Sequence, residues 1–463
     1  SRNGYSGKDK PGMNISEMFN TAYGDNSWVF TGGSAVQGGY AQTQGIRNYI
    51  GQFEEYVRWT NSINENGRQR YTINTGRSGR TLSDVASAYD KLVTAFGPKA
   101  AVYMIGEEDY SQGDENIAQF KKDLKVFIDK SLDLKENNGG FAVIQKPFAV
   151  KNDSSNTMIR KYCGAVDEVV GEYQNEHEKY NRIVVVDHFT KTNTEDFKTN
   201  KLQEDGSLNA RGHFEIGKQF SEATYGSSNG YPGSGVTLNL EQEEQADSYL
   251  NVQPKITSTD SSLQVTIPDE YNMEWKYELN MEETIVSGNI TGNTFEIPGL
   301  VEGKEYVLKM QSSDEKKQLV TMKGIIENGR HADQNVPVLD RKQQAITDMM
   351  DEKASMTWLF MGDSITHGAL WTYGYDGIAQ TFEKYLRDQL GRTEDVVVNT
   401  AVSGATTIST LNTIEQRLKK YMPDVVSIML GTNDAANNAD ARTYKEKLQT
   451  IINKVKELNP HAV

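Results

Sequence analysis

The sequence predicts an α/β fold with parallel sheets, built twice along the chain and interrupted by a small all-β segment. Short apolar runs alternate with stretches at helical spacing over residues 27–225 and again over residues 339–458. This alternation is typical of a parallel sheet covered by helices on both faces. Residues 254–326 instead alternate apolar and polar positions between frequent turns, which indicates a small β-sandwich. The two α/β segments also resemble each other in sequence.

Each element of the α/β segments is predicted from its own apolar pattern. In the first segment we predict strands over residues 27–31, 71–74, 100–105, 141–145 and 183–187, and helices over residues 47–60, 82–96, 115–132 and 157–180. In the second segment we predict strands over residues 357–361, 396–399 and 425–430, and helices over residues 339–353, 377–390, 408–422 and 442–458. The first segment therefore has five predicted strands and the second has three.

These patterns divide the chain into four parts. Residues 1–26 are predicted to be a loose segment, residues 27–235 the first α/β domain, residues 236–330 a β spacer, and residues 331–463 the second α/β domain. In the spacer, Trp275, the 295–300 stretch and Tyr306 resemble a fibronectin type III module. A generic β-sandwich is the alternative, and the sequence does not separate the two.

The composition excludes several classes of function. There are 49 Lys and Arg against 64 Asp and Glu, so the net charge is −15. An acidic chain repels phosphates, and we predict no nucleic-acid partner. The single cysteine excludes an internal disulfide framework and a multi-thiolate metal site. No apolar run approaches the roughly 18 residues of a membrane span. No Gly-x-Gly-x-x-Gly follows a strand and the six histidines are scattered, so we predict no metal and no cofactor.

Four matched segments in the same order show an internal repeat. WVFTGGSAVQGG (28–39) aligns with WLFMGDSITHGA (358–369), and FEEYVR (53–58) aligns with FEKYLR (382–387). INTGRSGRT (73–81) then aligns with VNTAVSGAT (398–406), and VYMIGEED (102–109) with SIMLGTND (427–434). The offset drifts only from 330 to 325, so we interpret the chain as two copies of one fold.

Three residues of the second copy follow successive predicted strands. Ser364 lies in the turn after the first strand, Gly404 after the second, and Asn433 after the third. Ligands of open α/β sheets bind at the carboxyl ends of the strands. A serine hydroxyl there is a candidate nucleophile, and the Ser364 N–H, the Gly404 N–H and the Asn433 amide are candidate donors to an oxyanion.

The motifs GDSIT, the Gly404 turn and GTND resemble blocks I, II and III of the SGNH (GDSL-like) hydrolases. This resemblance implies flavodoxin-like three-layer α/β/α domains and cleavage of esters, including O-acetyl groups of carbohydrates. It implies Ser364 as the nucleophile, with Ser364, Gly404 and Asn433 as oxyanion donors. We further expect Asp363, His367 and Asp434, which are neighbours of these positions, to bind substrate.

The last block of the resembled family, an Asp and a His spaced Asp-x-x-His, is missing from the second copy. We interpret His367 as pocket lining and His461 as exposed, so neither is assigned as the general base. Because a serine is a weak nucleophile without a base, we expect this Asp/His pair to lie beyond residue 463. A base that contacts Ser364 from within these residues would contradict that expectation.

The first copy is degenerate at the corresponding positions. It keeps Ser34 and Gly79, but Gly33 replaces the aspartate and Glu108 replaces the oxyanion asparagine. An ionised carboxylate facing a developing oxyanion would repel it. The resemblance places the catalytic histidine at Ser207 or Leu208 and gives His213 a structural position. His177 is expected to be solvated.

We predict that the first copy is a pseudoenzyme that keeps the scaffold and a carbohydrate-sized pocket. The rival hypothesis is a rearranged site in which Glu108 or His188 acts with Ser34.

The leading functional hypothesis is a serine esterase that acts on ester or O-acetylated carbohydrate substrates through an acyl-Ser364 intermediate. Acyl transfer to a sugar is the alternative within the same chemistry. A non-catalytic glycan-binding surface protein is the alternative from a different class. The tandem modules and the single cysteine favour an extracellular or cell-surface bacterial protein, with a cytosolic location as the alternative. The oligomeric state is not predicted.

Overall fold

The computed structural model describes residues 15, 27–38, 47–60, 70–134, 140–232, 249–250, 255–259, 261–267, 269–282, 284–314, 318–319, 322–327, 330–332, 341–368, 372 and 375–463. The predicted loose segment 1–26, apart from Ile15, lies outside these residues. So do the end of the predicted first domain, 233–235, and the following acidic run, 241–244. The chain forms two compact units, one of residues 1–240 with 353–463 and the other of residues 241–352.

The first copy contains a five-stranded parallel sheet in the order β2-β1-β3-β4-β5. Its strands are β1 (Trp28–Gly32), β2 (Thr72–Asn74), β3 (Ala100–Met104), β4 (Phe141–Lys146) and β5 (Ile183–Asp187). This order is that of flavodoxin-like folds, so the predicted fold class is confirmed. The order reverses between β1 and β3, which opens a crevice at the carboxyl ends of these two strands.

Helices cover both faces of this sheet. Trp28 and Phe30 of β1 pack in one apolar cluster, whereas Val29 between them packs in another. Side chains alternate across a strand, so both faces are buried. The helices of the first copy, including 3₁₀ turns, are Ser34–Gln37, Tyr49–Thr60, Leu82–Ser87, Tyr89–Leu92, Thr94–Phe96, Glu107–Tyr110, Asp114–Asn116, Ile117–Leu132, Asp153–Gly171, His177–Tyr180, His188–Thr192, Glu195–Asn200 and Ala210–Tyr225.

The described residues of the second unit form strands, a short 3₁₀ turn, Asp269–Tyr271, and the helix Arg341–Glu352 at its end. Its strands are β6 (Tyr249–Leu250), β7 (Lys255–Ser258), β8 (Ser262–Thr266), β9 (Met273–Met281), β10 (Thr284–Gly292), β11 (Thr294–Pro298), β12 (Glu305–Ser312), β13 (Gln318–Leu319), β14 (Met322–Glu327) and β15 (Arg330–Ala332). One sheet has the order β11-β8-β7, and the other runs β10-β9-β12-β13-β6 with β14 and β15 attached. The predicted residues Trp275 and Tyr306 are buried in its apolar core.

The second copy repeats the first three strands of the first. Its strands are β16 (Thr357–Gly362), β17 (Val396–Asn399) and β18 (Val425–Met429), parallel and in the order β17-β16-β18. Its helices, including one π-helix and one 3₁₀ turn, are Ser364–His367, Ile378–Lys384, Tyr385–Gln389, Thr407–Asn412, Ile414–Arg417, Lys419–Tyr421, Thr432–Ala436 and Ala441–Leu458. The helices predicted over 82–96 and 408–422 are each broken into three short pieces, at corresponding positions in the two copies.

The two copies pack together as one unit, with equivalent elements facing each other. Edge strand β2 contacts edge strand β17, and the Thr94–Phe96 turn contacts the Lys419–Tyr421 turn. An apolar cluster continues across both copies and contains Tyr71 and Tyr421. This arrangement resembles the interface of a two-fold symmetric homodimer, in which the same patch is used on both sides. The sequence analysis treated the copies as separate domains and did not predict this contact.

Within the described residues, no helix is long and apolar enough to cross a membrane.

Burial of His188 in the first copy predicts a pH dependence of stability. His188 is fully buried and hydrogen-bonds with the side chains of Gln145 and Gln219. Burial lowers the pKa of His188 to about 4. An unfolded histidine binds a proton below about pH 6.5, whereas the folded one stays neutral down to about pH 4. This contribution to the free energy of unfolding is therefore complete above pH 6.5 and decreases by about 1.4 kcal/mol per pH unit below it.

We expect His188→Gln to reduce the loss of unfolding free energy between pH 6.5 and 4.5 by about 1.4 kcal/mol per pH unit, measured by urea denaturation. His177→Gln, at an exposed position, is the control and should keep the wild-type slope. An unchanged slope in His188→Gln would contradict the assignment.

Candidate active sites

The three predicted residues of the second copy follow three adjacent parallel strands. β16 is the central strand, and Ser364 follows its carboxyl end. Gly404 follows β17 and Asn433 follows β18, on either side of it. Because parallel strands end at the same edge of a sheet, the topology brings these three residues to one crevice, where open α/β sheets bind ligands.

The turn after β16 exposes Ser364 at the start of a short helix, Ser364–His367. A Cβ atom at Gly362 would lie 2.7 Å from the Met429 carbonyl oxygen, so a larger residue does not fit where the chain leaves the sheet. Asp363 caps the helix by accepting a 3.0 Å hydrogen bond from the Ile365 N–H. These contacts fix the backbone on both sides of the serine.

The Gly404 turn and the Asn433 side chain are held by their own local contacts. Gly404 is exposed and has φ +83°, a left-handed conformation that favours glycine. Asn433 donates a hydrogen bond from Nδ2 to the Ala405 carbonyl oxygen at 3.1 Å. This bond ties the end of β18 to the Gly404 turn and leaves the second Nδ2 hydrogen for another acceptor.

The three expected substrate-binding side chains are all buried and bound within the protein. Asp363 is the helix cap described above, and Asp434 accepts hydrogen bonds from the Thr407 N–H and hydroxyl. His367 bonds with Ser403 of the second copy and with Glu55 of the first. Each of these side chains thus has at least one hydrogen bond inside the fold, and their expected role in substrate binding stays a prediction.

Among the described residues, no histidine hydrogen-bonds to Ser364. His461 is exposed, as predicted, and His367 faces the interface between the copies. The expectation that neither serves as the base for Ser364 is thus consistent with the geometry.

In the first copy, a carboxylate oxygen occupies the position of the expected oxyanion. The Ser34 N–H donates to Glu108 Oε1 at 2.7 Å, and the Gly79 N–H donates to the same oxygen at 3.2 Å. Ser34 and Gly79 correspond to Ser364 and Gly404, and Glu108 corresponds to Asn433. The two backbone donors of this fold therefore do point at one oxygen, and in the first copy that oxygen belongs to the chain itself.

The replacement of the aspartate by Gly33 is explained by the same carboxylate. A Cβ atom at Gly33 would lie 2.2 Å from Glu108 Oε2, and one at Gly106 would lie 2.4 Å from it. Gly33 has φ −89°, which any residue adopts, so the restriction comes from the neighbouring carboxylate and not from the backbone. The two departures from the family pattern are therefore linked, because the Glu108 carboxylate fills the space that a side chain at Gly33 would need.

Next to this carboxylate lies an open cleft of about 690 Å³. Its lining includes Ser34, Gln37, Tyr110, Phe148, Glu204 and His213. Burial lowers the pKa of His213 to about 3, so this histidine is neutral at pH 7. His213 Nδ1 accepts a hydrogen bond from the Tyr49 N–H at 3.2 Å, in agreement with a structural position.

The two side chains of the rival hypothesis, His188 and Glu108, lie in different surroundings. His188 is fully buried between Gln145 and Gln219, outside the residues that line the cleft. Glu108 Oε1 is bound to the backbone donors at Ser34 and Gly79. His177 is exposed, as expected. In the described part of the chain, no cluster of three or more His, Cys, Asp or Glu side chains could hold a metal ion.

Two family models match the two α/β segments. Residues 12–220 match the GDSL-like Lipase/Acylhydrolase model, and residues 360–463 match the GDSL-like Lipase/Acylhydrolase family model. Both segments belong to the GDSL-like lipase/acylhydrolase family. The predicted family resemblance and the tandem arrangement of the GDSL-like copies are confirmed.

Comparison with individual proteins adds distant relatives. An uncharacterized protein of Mycoplasma pneumoniae is 22% identical over 550 residues, covering 94% of this chain and 62% of that protein. The chain thus spans less than two thirds of the length of this curated relative. Among solved structures, an acetylxylan esterase from Geobacillus stearothermophilus is 19% identical over 44% of this chain and 96% of its own, with a TM-score of 0.35. An α/β hydrolase from the metagenome of Lake Arreo, Spain, is 16% identical over 44% of this chain and 97% of its own, with a TM-score of 0.34.

Sequence reasoning missed the side chains of the first copy that contact the second GDSL-like site. Arg47, Glu55 and Arg58 lie on or just before the Tyr49–Thr60 helix and are almost fully buried. The sequence does contain one signal, the match of FEEYVR with FEKYLR. This match places charged residues among the apolar residues of the two helices. Charged residues on a helix usually face solvent, so this pattern alone does not indicate an interface.

The coupling of Gly33 to Glu108 predicts a non-additive pair of substitutions. In Gly33→Ala, the Glu108 carboxylate either clashes with the new methyl group or leaves its two N–H donors. Either outcome should lower the free energy of unfolding by about 1–3 kcal/mol. In a Glu108→Ala background the same Gly33→Ala change should be nearly neutral. Urea denaturation of the four proteins measures this cycle, and equal costs in both backgrounds would contradict the steric explanation.

Proposed function

We propose that the second GDSL-like copy is a serine esterase with Ser364 as its nucleophile. The observation that carries the proposal is the exposed Ser364 at the carboxyl end of β16, between the Gly404 turn and Asn433. Support for the oxyanion donors comes from the first copy, where the two equivalent N–H groups bind one carboxylate oxygen. That pair of contacts is the geometry that a tetrahedral intermediate requires.

The proposed reaction proceeds in two steps. Ser364 Oγ loses its proton to a base and attacks the ester carbonyl, while the carbonyl oxygen gains negative charge near the Ser364 and Gly404 N–H groups and the Asn433 amide. Collapse of the intermediate releases the alcohol and leaves an acyl-Ser364, which water then hydrolyses to the acid.

For the substrate, we favour O-acetyl esters of carbohydrates on an extended polymer. The support is the modular organisation, with two α/β copies and a β unit in one chain, and this is an analogy at the level of architecture. The same organisation, together with the single cysteine, supports an extracellular or cell-surface location.

The first GDSL-like copy, in this proposal, is a pseudoenzyme with a retained binding cleft. Glu108 Oε1 occupies the position that a substrate oxyanion would need, and two backbone N–H groups hold it there. An oxyanion cannot share this position with a carboxylate, because the two negative charges repel each other. The adjacent cleft has aromatic and polar walls, including Tyr110, Phe148 and Asn152, a lining that suits a glycan.

Substitution of the two serines separates the roles of the copies. Ser364→Ala should lower the turnover of p-nitrophenyl acetate by at least about a thousandfold, because the acyl-enzyme cannot form. Ser34→Ala should leave turnover within about twofold of wild type, since in this proposal Ser34 takes no part in the reaction at Ser364. Steady-state kinetics on folded protein measures both. Comparable losses in the two variants would overturn the pseudoenzyme assignment, and an unaffected Ser364→Ala would overturn the nucleophile.

The oxyanion role of Asn433 is tested separately. Asn433→Ala should lower kcat by about 10²–10³-fold with little change in KM, because the lost hydrogen bond is made in the transition state. Asn437→Ala, on the same short segment and exposed, is the matched control and should keep wild-type kcat. A change confined to KM would place Asn433 in substrate binding instead.

A further inference from the structure

Three charged side chains of the first copy are buried against the loops that carry the second site. Arg47, Glu55 and Arg58 have side chains only 1%, 2% and 1% exposed. Burying charged groups is costly unless each one is paired and hydrogen-bonded. The groups that pair with these side chains therefore show which part of the fold the buried charges stabilise.

Both arginines donate to backbone carbonyls of the second copy. Arg47 Nη2 donates to the carbonyl oxygen of Gly368, the residue that ends the Ser364–His367 helix in a left-handed conformation. Arg58 Nη2 donates to the carbonyl oxygen of Ala401, three residues before Gly404. One first-copy segment thus binds both the nucleophile turn and the oxyanion turn.

Glu55 connects to the oxyanion turn through His367. The His367 Nε2 lies 2.9 and 3.0 Å from the two Glu55 carboxylate oxygens. On the other side of the ring, His367 Nδ1 accepts from the Ser403 N–H at 3.3 Å and lies 2.9 Å from the Ser403 hydroxyl. A backbone N–H can only donate, so Nδ1 carries no proton and Nε2–H donates to Glu55.

The charge states agree with this arrangement. Burial alone would raise the pKa of Glu55, but the hydrogen bond from His367 and the charges of Arg58 and Arg47 lower the pKa below its usual range. Burial and the nearby Arg58 lower the pKa of His367. Glu55 is therefore an ionised acceptor, and His367 is a neutral bridge between it and Ser403.

We propose that Arg47, Glu55 and Arg58 of the first copy are positioning residues for the Ser364 site, with His367 as the bridge to the Gly404 turn. The degenerate copy then has a function besides any ligand of its own, because it holds the nucleophile turn and the oxyanion turn of its partner in register. A shift of about 1 Å in a catalytic group can lower a rate by about a hundredfold, so such contacts affect turnover without touching substrate. The catalytic part of this inference rests on the proposed esterase function.

Two of these three charged side chains differ at the equivalent positions of the second copy. Asp376 and Lys384 correspond to Arg47 and Glu55 at an offset of 329, so the charges are exchanged, and they form an ion pair with each other. Gln37 corresponds to His367 and accepts a 2.9 Å hydrogen bond from the Ser78 N–H. In both copies the side chain at this position accepts a hydrogen bond from the turn, from Ser78 in the first and from Ser403 in the second. At the Ser364 site this side chain is a histidine, which also bonds with Glu55.

The test compares Glu55→Gln with Asp109→Asn in the whole chain. Asp109 is also a buried carboxylate of the first copy, and it accepts hydrogen bonds from the Leu82 N–H, the Gly106 N–H and the Tyr103 hydroxyl of that copy, so it is a matched control. Hydrogen–deuterium exchange of peptides covering residues 364–368 and 401–405 reports on the two turns and needs no activity. We expect exchange there to become at least about tenfold faster in Glu55→Gln and to stay at the wild-type rate in Asp109→Asn.

Kinetics and a second variant complete the test. With p-nitrophenyl acetate, Glu55→Gln should lower kcat at least about tenfold while KM stays within about twofold. His367→Ala should have the same effect on exchange, and adding Glu55→Gln to it should have no further effect, because both act through one chain of contacts.

Unchanged exchange at both turns in Glu55→Gln, or equal acceleration in Asp109→Asn, would overturn the positioning role. An inactive wild-type protein that still shows the exchange difference would count against the esterase proposal alone.

Discussion

The packing of the two copies against each other is the constraint on which the rest of this structure depends. β2 and β17 are edge strands, and edge strands expose backbone groups unless something covers them. Here each edge is covered by the other copy, and the apolar core continues between them. Once that contact is buried, every charged group in it needs a partner, which accounts for Arg47, Glu55 and His367.

The two copies share one backbone geometry at the candidate sites and differ in the side chain beside it. In the first, the N–H groups of Ser34 and Gly79 bind the carboxylate of Glu108. In the second, an asparagine takes the place of the glutamate and binds the Ala405 carbonyl oxygen, so the corresponding N–H groups have no carboxylate from this position. In the function proposed above, the first copy is fixed by these internal contacts and the second is open to substrate.

Much of the fold was predictable, because parallel strands and covering helices leave a clear apolar alternation. The predicted strand over 183–187 matches β5 and the one over 396–399 matches β17, residue for residue. Helices were less well predicted, since the helical spacing of apolar residues continues through the breaks at Ala88 and Thr413. The Gly33 and Glu108 substitutions were recognised separately, but only the coordinates show that the carboxylate fills the space a side chain at Gly33 would need.

The sequence by itself determined the class of fold, the tandem repeat, and the positions of Ser364, Gly404 and Asn433 at successive strand ends, because each of these follows from local pattern and spacing. The tertiary structure decided the surroundings of His367. From sequence it was a pocket residue three positions after a nucleophile, whereas in the fold it is buried against Glu55 of the other copy. A contact between residues 312 positions apart leaves no local pattern, and burial between two packed surfaces is what gives that histidine its partner.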